Sequence, residues 1–196
     1  MVVREFFHIF REKMTKENLK IGLVGASSTG KSTVFSLLPQ FPYFEDFDYT
    51  SESTRTVREF GFPINEEGTG ETQLAISTFH LRALLSHKPT ILDRCYLDLV
   101  VYTDILREDG LVPEHVYNYI VDTWEEVQYE YNLFVYFPIE FPAVEDGVRS
   151  INEEWRKRVD DKFLYYFNLY GIIPLTVKGS PKARIQQIQK HLEEQL

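Results

Sequence analysis

Ile21-Gly22-Leu23-Val24, running directly into Gly25-Ala26-Ser27-Ser28-Thr29-Gly30-Lys31-Ser32, is the stretch from which the rest of the chain can be read. A short apolar run reads as a buried strand, and the G-x-x-x-x-G-K-S pattern behind it reads as a loop that curls around phosphate. The chemistry asks for these residue types. The glycines let the backbone bend until successive N–H groups point into one concavity, to which the N-terminus of the next helix adds positive potential. Lys31 reaches the β- and γ-phosphates and Ser32 offers a hydroxyl to Mg²⁺, while Ser27, Ser28 and Thr29 keep the loop polar without bulk. The expected nucleotide-binding set is Gly25, Ser27, Ser28, Thr29, Gly30, Lys31, Ser32 and Thr33. The helix that follows carries Val34, Phe35, Leu37 and Leu38 and stops near Pro39, which cannot continue it.

Composition limits what surrounds this motif. A chain of 196 residues that is 43% apolar fills one sizeable core, so a single domain over 20–196 is expected, preceded by an extension over 1–19. Thirty acidic against 21 basic residues give a net charge of −9, which disfavours binding to long nucleic acids and leaves local arginines to hold a small anionic substrate. The lone Cys95 excludes an internal disulfide and sits among apolar residues, as a buried thiol does. No apolar run reaches the length of a membrane span, and a cytoplasmic protein is expected. In the extension, Val3, Phe6, Phe7, Ile9, Phe10 and Met14 recur at near-helical spacing, which reads as an amphipathic helix that packs on the sheet edge or on a partner chain.

Further along, strands and helices alternate. Strands are expected at 20–24, near Tyr43–Tyr49, at Thr90–Asp93, at Asn132–Phe137 and at Ile172–Val177, with helices at 31–38, 51–60 and 71–87 and a basic helix at the C-terminus. That alternation implies a parallel five-stranded sheet covered on both faces, with the ligand at the carboxyl ends of the strands.

Three constellations fall at those ends. Asp93 and Arg94 close the third strand, which in this fold lies beside the first, so Asp93 faces Lys31 and Ser32 as a magnesium ligand or as a base for an acceptor hydroxyl. The competing reading makes Asp93 the N-cap of a helix beginning at Tyr96. Asp48, Glu52, Arg55 and Gln73, with Arg58 and His80 nearby, could line an acceptor pocket in which Phe47 or Tyr49 stacks on a base; a solvated Glu–Arg helix pair is the plainer alternative. His80 alone is more often a structural or surface residue. Finally, Glu145-Asp146-Gly147-Val148-Arg149 leads to Arg156 and Arg158 on a helix. Arg149 and Arg156 are spaced to project to one side, where a closing segment would bring their donors to the charge that develops in phosphoryl transfer.

Taken together, the loop on the first strand, Glu52-x-x-Arg55, Leu92-Asp93-Arg94 with Asp98, and Asp146-Gly147-x-Arg149 with Arg156 resemble the NadR-like P-loop kinases. These comprise the nicotinamide riboside kinase domain and its relatives, often classed as AAA-type ATPases of NAD metabolism. The resemblance covers residues 20 to 195. Asp93-Arg94 with Tyr96, Asp98 and Tyr102 also looks like the Asp-Arg-Tyr segment of thymidylate kinases, whose arginine contacts the acceptor phosphate, although Cys95 interrupts the motif here. The resemblance implies a three-layer α/β/α P-loop domain with an arginine-bearing lid, using ATP and Mg²⁺ to phosphorylate a nucleoside-like or nucleotide acceptor. In it Lys31, Asp93, Arg149 and Arg156 act in transfer, Ser32 and Asp93 hold the metal, and Asp48, Glu52, Arg55, Gln73 and Arg94 hold the acceptor. Ribosylnicotinamide, a pyrimidine nucleoside or a monophosphate all fit. Two other classes stay open: a nucleotide-driven switch docking a protein or a second copy of itself through the N-terminal helix, and a kinase of nucleic-acid ends or modified bases.

Overall fold

The computed structural model describes residues 18–51, 53–143 and 152–196. The amphipathic stretch up to residue 17, Glu52 and the cluster from Glu145 to Arg149 lie outside the described residues, so of the two expected lid arginines only Arg156 is described.

Five parallel strands form the sheet: β1 (Lys20–Val24), β2 (Asp48–Thr50), β3 (Thr90–Asp93), β4 (Leu133–Tyr136) and β5 (Leu175–Thr176), in the order β2-β3-β1-β4-β5. β1 is therefore central. Its neighbours are in register so that Leu23 stands beside Asp93 and Val24 beside Tyr136, which brings Asp93 and Tyr136 to the two flanks of the loop that leaves β1. β5 is shorter than the expected Ile172–Val177 because it is an edge strand that pairs only where Val135 and Tyr136 face it.

Alternation along β1 and β4 sends side chains to two separate cores. On one face Ile21, Leu23, Ile91, Leu133 and Val135 pack under α1 (Lys31–Leu37) and α7 (Pro181–Gln195), against Val34, Leu38, Ile185, Ile188 and Leu192. On the other face Val24, Leu92, Phe134 and Tyr136 pack under α2 (Thr54–Glu59), α3 (Gly70–Leu84), α4 (Tyr96–Glu108), α5 (Glu114–Val127) and α6 (Glu153–Tyr170). Each fully buried aliphatic side chain here is worth about 1.5–3 kcal/mol of transfer free energy, so the strands need both layers to be stable.

Helix ends follow local chemistry. α1 gives way to a single 3₁₀ turn, Leu38–Gln40, where Pro39 forbids continuation. Thr69 caps α3 in a reciprocal pair with Thr72, Asn152 Oδ1 accepts from the amides of Glu154 and Trp155 at the start of α6, and Gly171, at φ 65°, ends α6 in the left-handed region. α4 is capped at Cys95, whose N–H donates to Asp98 Oδ2 at 3.0 Å. That settles the N-cap question raised by the sequence: the capping position is Cys95, and Asp93 is left to the strand end.

Candidate active site

The loop between β1 and α1 is shaped by three left-handed or glycine-only conformations. Gly25 has φ 137°, and a Cβ there would stand 2.5 Å from the Phe137 carbonyl oxygen, so no side chain fits. Ser28 and Gly30 follow at φ 55° and 89°. Lys31, buried at the first turn of α1, donates from Nζ to the carbonyls of Gly25 (2.7 Å) and Ala26 (2.6 Å) and to Thr29 Oγ1 (3.3 Å). Ser32 follows on the same turn, whereas Thr33 is exposed on the outside of α1.

Two more cations grip the loop from behind. Arg156, on the first turn of α6 and 0% exposed, donates from Nε to the Ser27 carbonyl at 3.0 Å and from its terminal nitrogens to Glu153 and to the Phe141 carbonyl. Arg184 on α7, 2% exposed, donates to the Thr29 carbonyl at 2.6 Å, pairs with Glu140 and lies over the rings of Phe137 and Phe141. Carbonyls of residues 25, 26, 27 and 29 are thus all bound by cations. A trans peptide points its N–H opposite to its oxygen, so the arginine contacts at Ser27 and Thr29 fix the direction of the N–H groups that follow. Arg184 was not among the residues expected from sequence, because an arginine on a polar terminal helix normally reads as solvated. Replacing it by Met should lower unfolding free energy by roughly 2–4 kcal/mol, since Glu140 loses its cation and keeps only the Gly179 N–H while the Thr29 carbonyl loses its donor, and should weaken nucleotide binding at the same time. Urea titration and calorimetry of Mg·ATP binding check the two halves of that statement.

At the carboxyl end of β3, Asp93 is buried beside the loop. Arg94 adopts φ 75°, an uncommon conformation for a non-glycine residue, held by its N–H to the Leu23 carbonyl (3.1 Å) and by its guanidinium on Asp98 Oδ1 (3.3 Å) and Tyr102 Oη (3.2 Å). Strain of this kind persists only where the surroundings over-determine it, and it aims the Arg94 side chain into a cleft. Burial pushes the Asp98 carboxyl up to about 6 against the pull of Arg94 and Lys31, with Asp93 adding a small push in the same direction as burial. Asp98 therefore sits within electrostatic reach of both the loop lysine and Asp93. Burial also drives the Cys95 thiol far up, which makes it a packing group rather than a nucleophile. On the other flank, Tyr136 Oη donates to Asp160 Oδ1 at 2.6 Å; burial raises the Asp160 carboxyl, and Lys31 and Arg156 offset part of that.

A partly open cleft next to the end of β3 is walled by Thr54 of α2, Asn65, Gln73, Ile76 and His80 of or before α3, and Arg94, Asp98, Leu99 and Tyr102 between β3 and the first turns of α4. Of the expected acceptor residues, Gln73 and Arg94 line it, and His80 joins them rather than staying on the surface. Arg55 does not; it is exposed one position past Thr54. Asp48 is a correction. It opens β2 opposite Thr90, at the amino end of the sheet, where it accepts from Ser86 Oγ and pairs with Lys88, so strand polarity carries it away from the ligand side. Phe47 and Tyr49 are corrected too: Phe47 is buried in the α1–α7 core, and Tyr49 packs edge-on to Phe35 and donates to the Phe44 carbonyl. Neither reaches the cleft.

Parallel order β2-β3-β1-β4-β5, a glycine-framed loop after the central strand and a lysine at the first turn of the next helix define a P-loop nucleoside-triphosphate-binding domain. The family model for the AAA domain matches residues 20–184, and the chain belongs to that family. No curated protein matches the sequence. Among solved structures the fold resembles deoxyadenosine kinase from M. mycoides with dCMP and dCDP bound, at 16% identity and a TM-score of 0.67 over 90% of this chain and 99% of that one. It also resembles the NadR protein in complex with NR, at 15% identity and a TM-score of 0.70, covering 88% of this chain and 51% of NadR, so the chain spans about half the length of that protein. At these identities the likeness is one of fold.

Proposed function

We propose that the protein is an ATP-dependent kinase that transfers the γ-phosphoryl group to a hydroxyl or phosphate of a nucleoside-like or nucleotide acceptor, of the ribosylnicotinamide or pyrimidine type. The observation that carries this reading is the juxtaposition at the carboxyl ends of β1 and β3: a phosphate loop with its lysine beside Asp93, and a cleft lined by the next residue, Arg94, and by Asp98. A hydrolase or switch needs the loop but has no use for a second cleft walled by Gln73, Arg94 and Asp98.

The residues suit the nucleotide. With the Ser27 and Thr29 carbonyls held by Arg156 and Arg184 the loop can present N–H groups to phosphate, and Lys31 can leave the carbonyls of Gly25 and Ala26 for phosphate oxygens. Ser32 and Asp93 supply the hard oxygens that Mg²⁺ takes, and the described residues hold no cluster of three His, Cys, Asp or Glu side chains able to cage a metal, as suits an ion carried largely by the substrate's phosphates. When bound, Mg²⁺ neutralises charge that builds on those phosphates. Asp93 then orients the acceptor group and takes its proton as the new O–P bond forms, while Arg94, braced by Asp98 and Tyr102, offers donors to the acceptor's oxygens.

ADP release from Mg·ATP against ribosylnicotinamide, nucleosides, their monophosphates and a short oligonucleotide tests the proposal. One class of acceptor should raise the rate at least about a hundredfold over the acceptor-free well. Equal slow hydrolysis in every well would instead mark a nucleotide-driven switch, and a response to the oligonucleotide alone would mark a nucleic-acid kinase.

A further inference from the structure

Gln73 of α3 is 3% exposed and forms part of the wall of the cleft. Thr103 of α4, fully buried behind it, donates its hydroxyl proton to Gln73 Oε1 at 3.1 Å. Among the described residues the Thr103 hydroxyl has no other acceptor and Gln73 Nε2 has no hydrogen-bond partner. A carboxamide has two faces, and one hydroxyl has chosen between them: the oxygen is turned back to α4 and the NH₂ is left toward the cleft. Next to Nε2 the backbone carries no side chain at Gly68, where a Cβ would stand 3.1 Å from Nε2 and 3.0 Å from Leu106 Cδ1.

Resting on the kinase reading of this cleft, we propose that Thr103 is a positioning residue that sets acceptor specificity. By fixing Gln73 with its donor inward, it selects an acceptor whose ring shows a carbonyl or carboxamide oxygen at that wall and disfavours one that shows an exocyclic amino group. An oxygen accepts from Nε2. An amino group would place two donors face to face, and both would give up water without a partner. Ile76 and Leu99 on either side supply apolar surface for the ring but cannot tell an oxygen from an amino group, so the discrimination falls to the one carboxamide.

The test uses the whole chain with Mg·ATP and matched acceptors that exchange oxo for amino at this position, with the neighbouring ring nitrogen changing from N–H to bare nitrogen: uridine against cytidine and inosine against adenosine, each as nucleoside and as 5′-monophosphate. The oxo partner should be favoured by about tenfold or more in kcat/KM, with the difference lying mainly in KM. Thr103→Val keeps the shape and removes the proton, so Gln73 can turn over and the ratio should shrink to within about twofold, while Thr103→Ser should restore it. Gln73→Glu, an acceptor in place of a donor, should reverse the preference. A ratio unchanged in Thr103→Val, or an amino partner favoured by the unaltered protein, overturns the assignment and leaves the kinase reading standing. Silence across the whole panel, at the level of Lys31→Ala, overturns both.

Discussion

Lys31→Ala should abolish phosphoryl transfer, lowering kcat/KM by at least about 10³-fold, while the protein stays folded. In the structure Lys31 is not idle: it holds the carbonyls of Gly25 and Ala26 and touches Thr29. Its loss therefore has two consequences that differ in size. The loop carbonyls lose a charged donor, at a cost of about 1–3 kcal/mol, which a melting curve will register as a modest shift. The β- and γ-phosphates lose the cation that follows the charge as the transferring group departs, and that loss appears in turnover. Calorimetry of Mg·ATP binding separates the two, because affinity should fall along with activity. An unchanged affinity in Lys31→Ala would remove the loop from the nucleotide site, whatever the melting curve does.

Asp93→Asn should lower kcat by about 10²–10⁴-fold and leave the dissociation constant for ATP within about threefold. The substitution keeps the shape of a buried side chain and deletes only its charge and its ability to take a proton. Since α4 is capped by Cys95 and Asp98 and not by Asp93, the change does not unfasten that helix. Rapid-quench measurement of the first turnover is the most direct check, as it reports the transfer step separately from product release. A variant that melts early yet turns over normally would reassign Asp93 to structure.

The elements that chemistry needed were the ones a reader of the sequence could see. β1, the glycine-framed loop and α1 are local, and a strand that runs into G-x-x-x-x-G-K-S has one reading. β3 and β4 were equally plain, being short apolar runs stopped by Asp93 and by Pro138, and the placement of Gln73 and Arg94 in one cleft followed from them. What stayed hidden depends on direction and depth. Asp48 lies a few residues from the expected pocket, but a parallel strand has two ends, and its register with Thr90 is information that no spacing carries. Phe47 and Tyr49 belong to the opposite core for a similar reason: which face an edge residue joins is decided by the layer that packs on it. α5 went unread although Val116, Ile120 and Trp124 mark a buried stripe at helical spacing, since a stripe without chemistry draws no attention. Arg184 and Thr103 were invisible in another sense. Each acts through a partner far away in the chain, and only the folded arrangement shows that an arginine on α7 ends at the Thr29 carbonyl or that a threonine on α4 decides which way Gln73 turns.

The contacts that shape the phosphate loop span 129 residues from Arg156 to Ser27 and 155 from Arg184 to Thr29. The loop is made before α6 and α7, the helices whose guanidinium groups orient its peptides, and domains of this size assemble largely as units. A chain that carries the signature motif without those two helices in place lacks the arginines that shape it. Phosphate binding at the loop should therefore report the docking of α6 and α7, appearing with the fold of the whole domain rather than with the local motif.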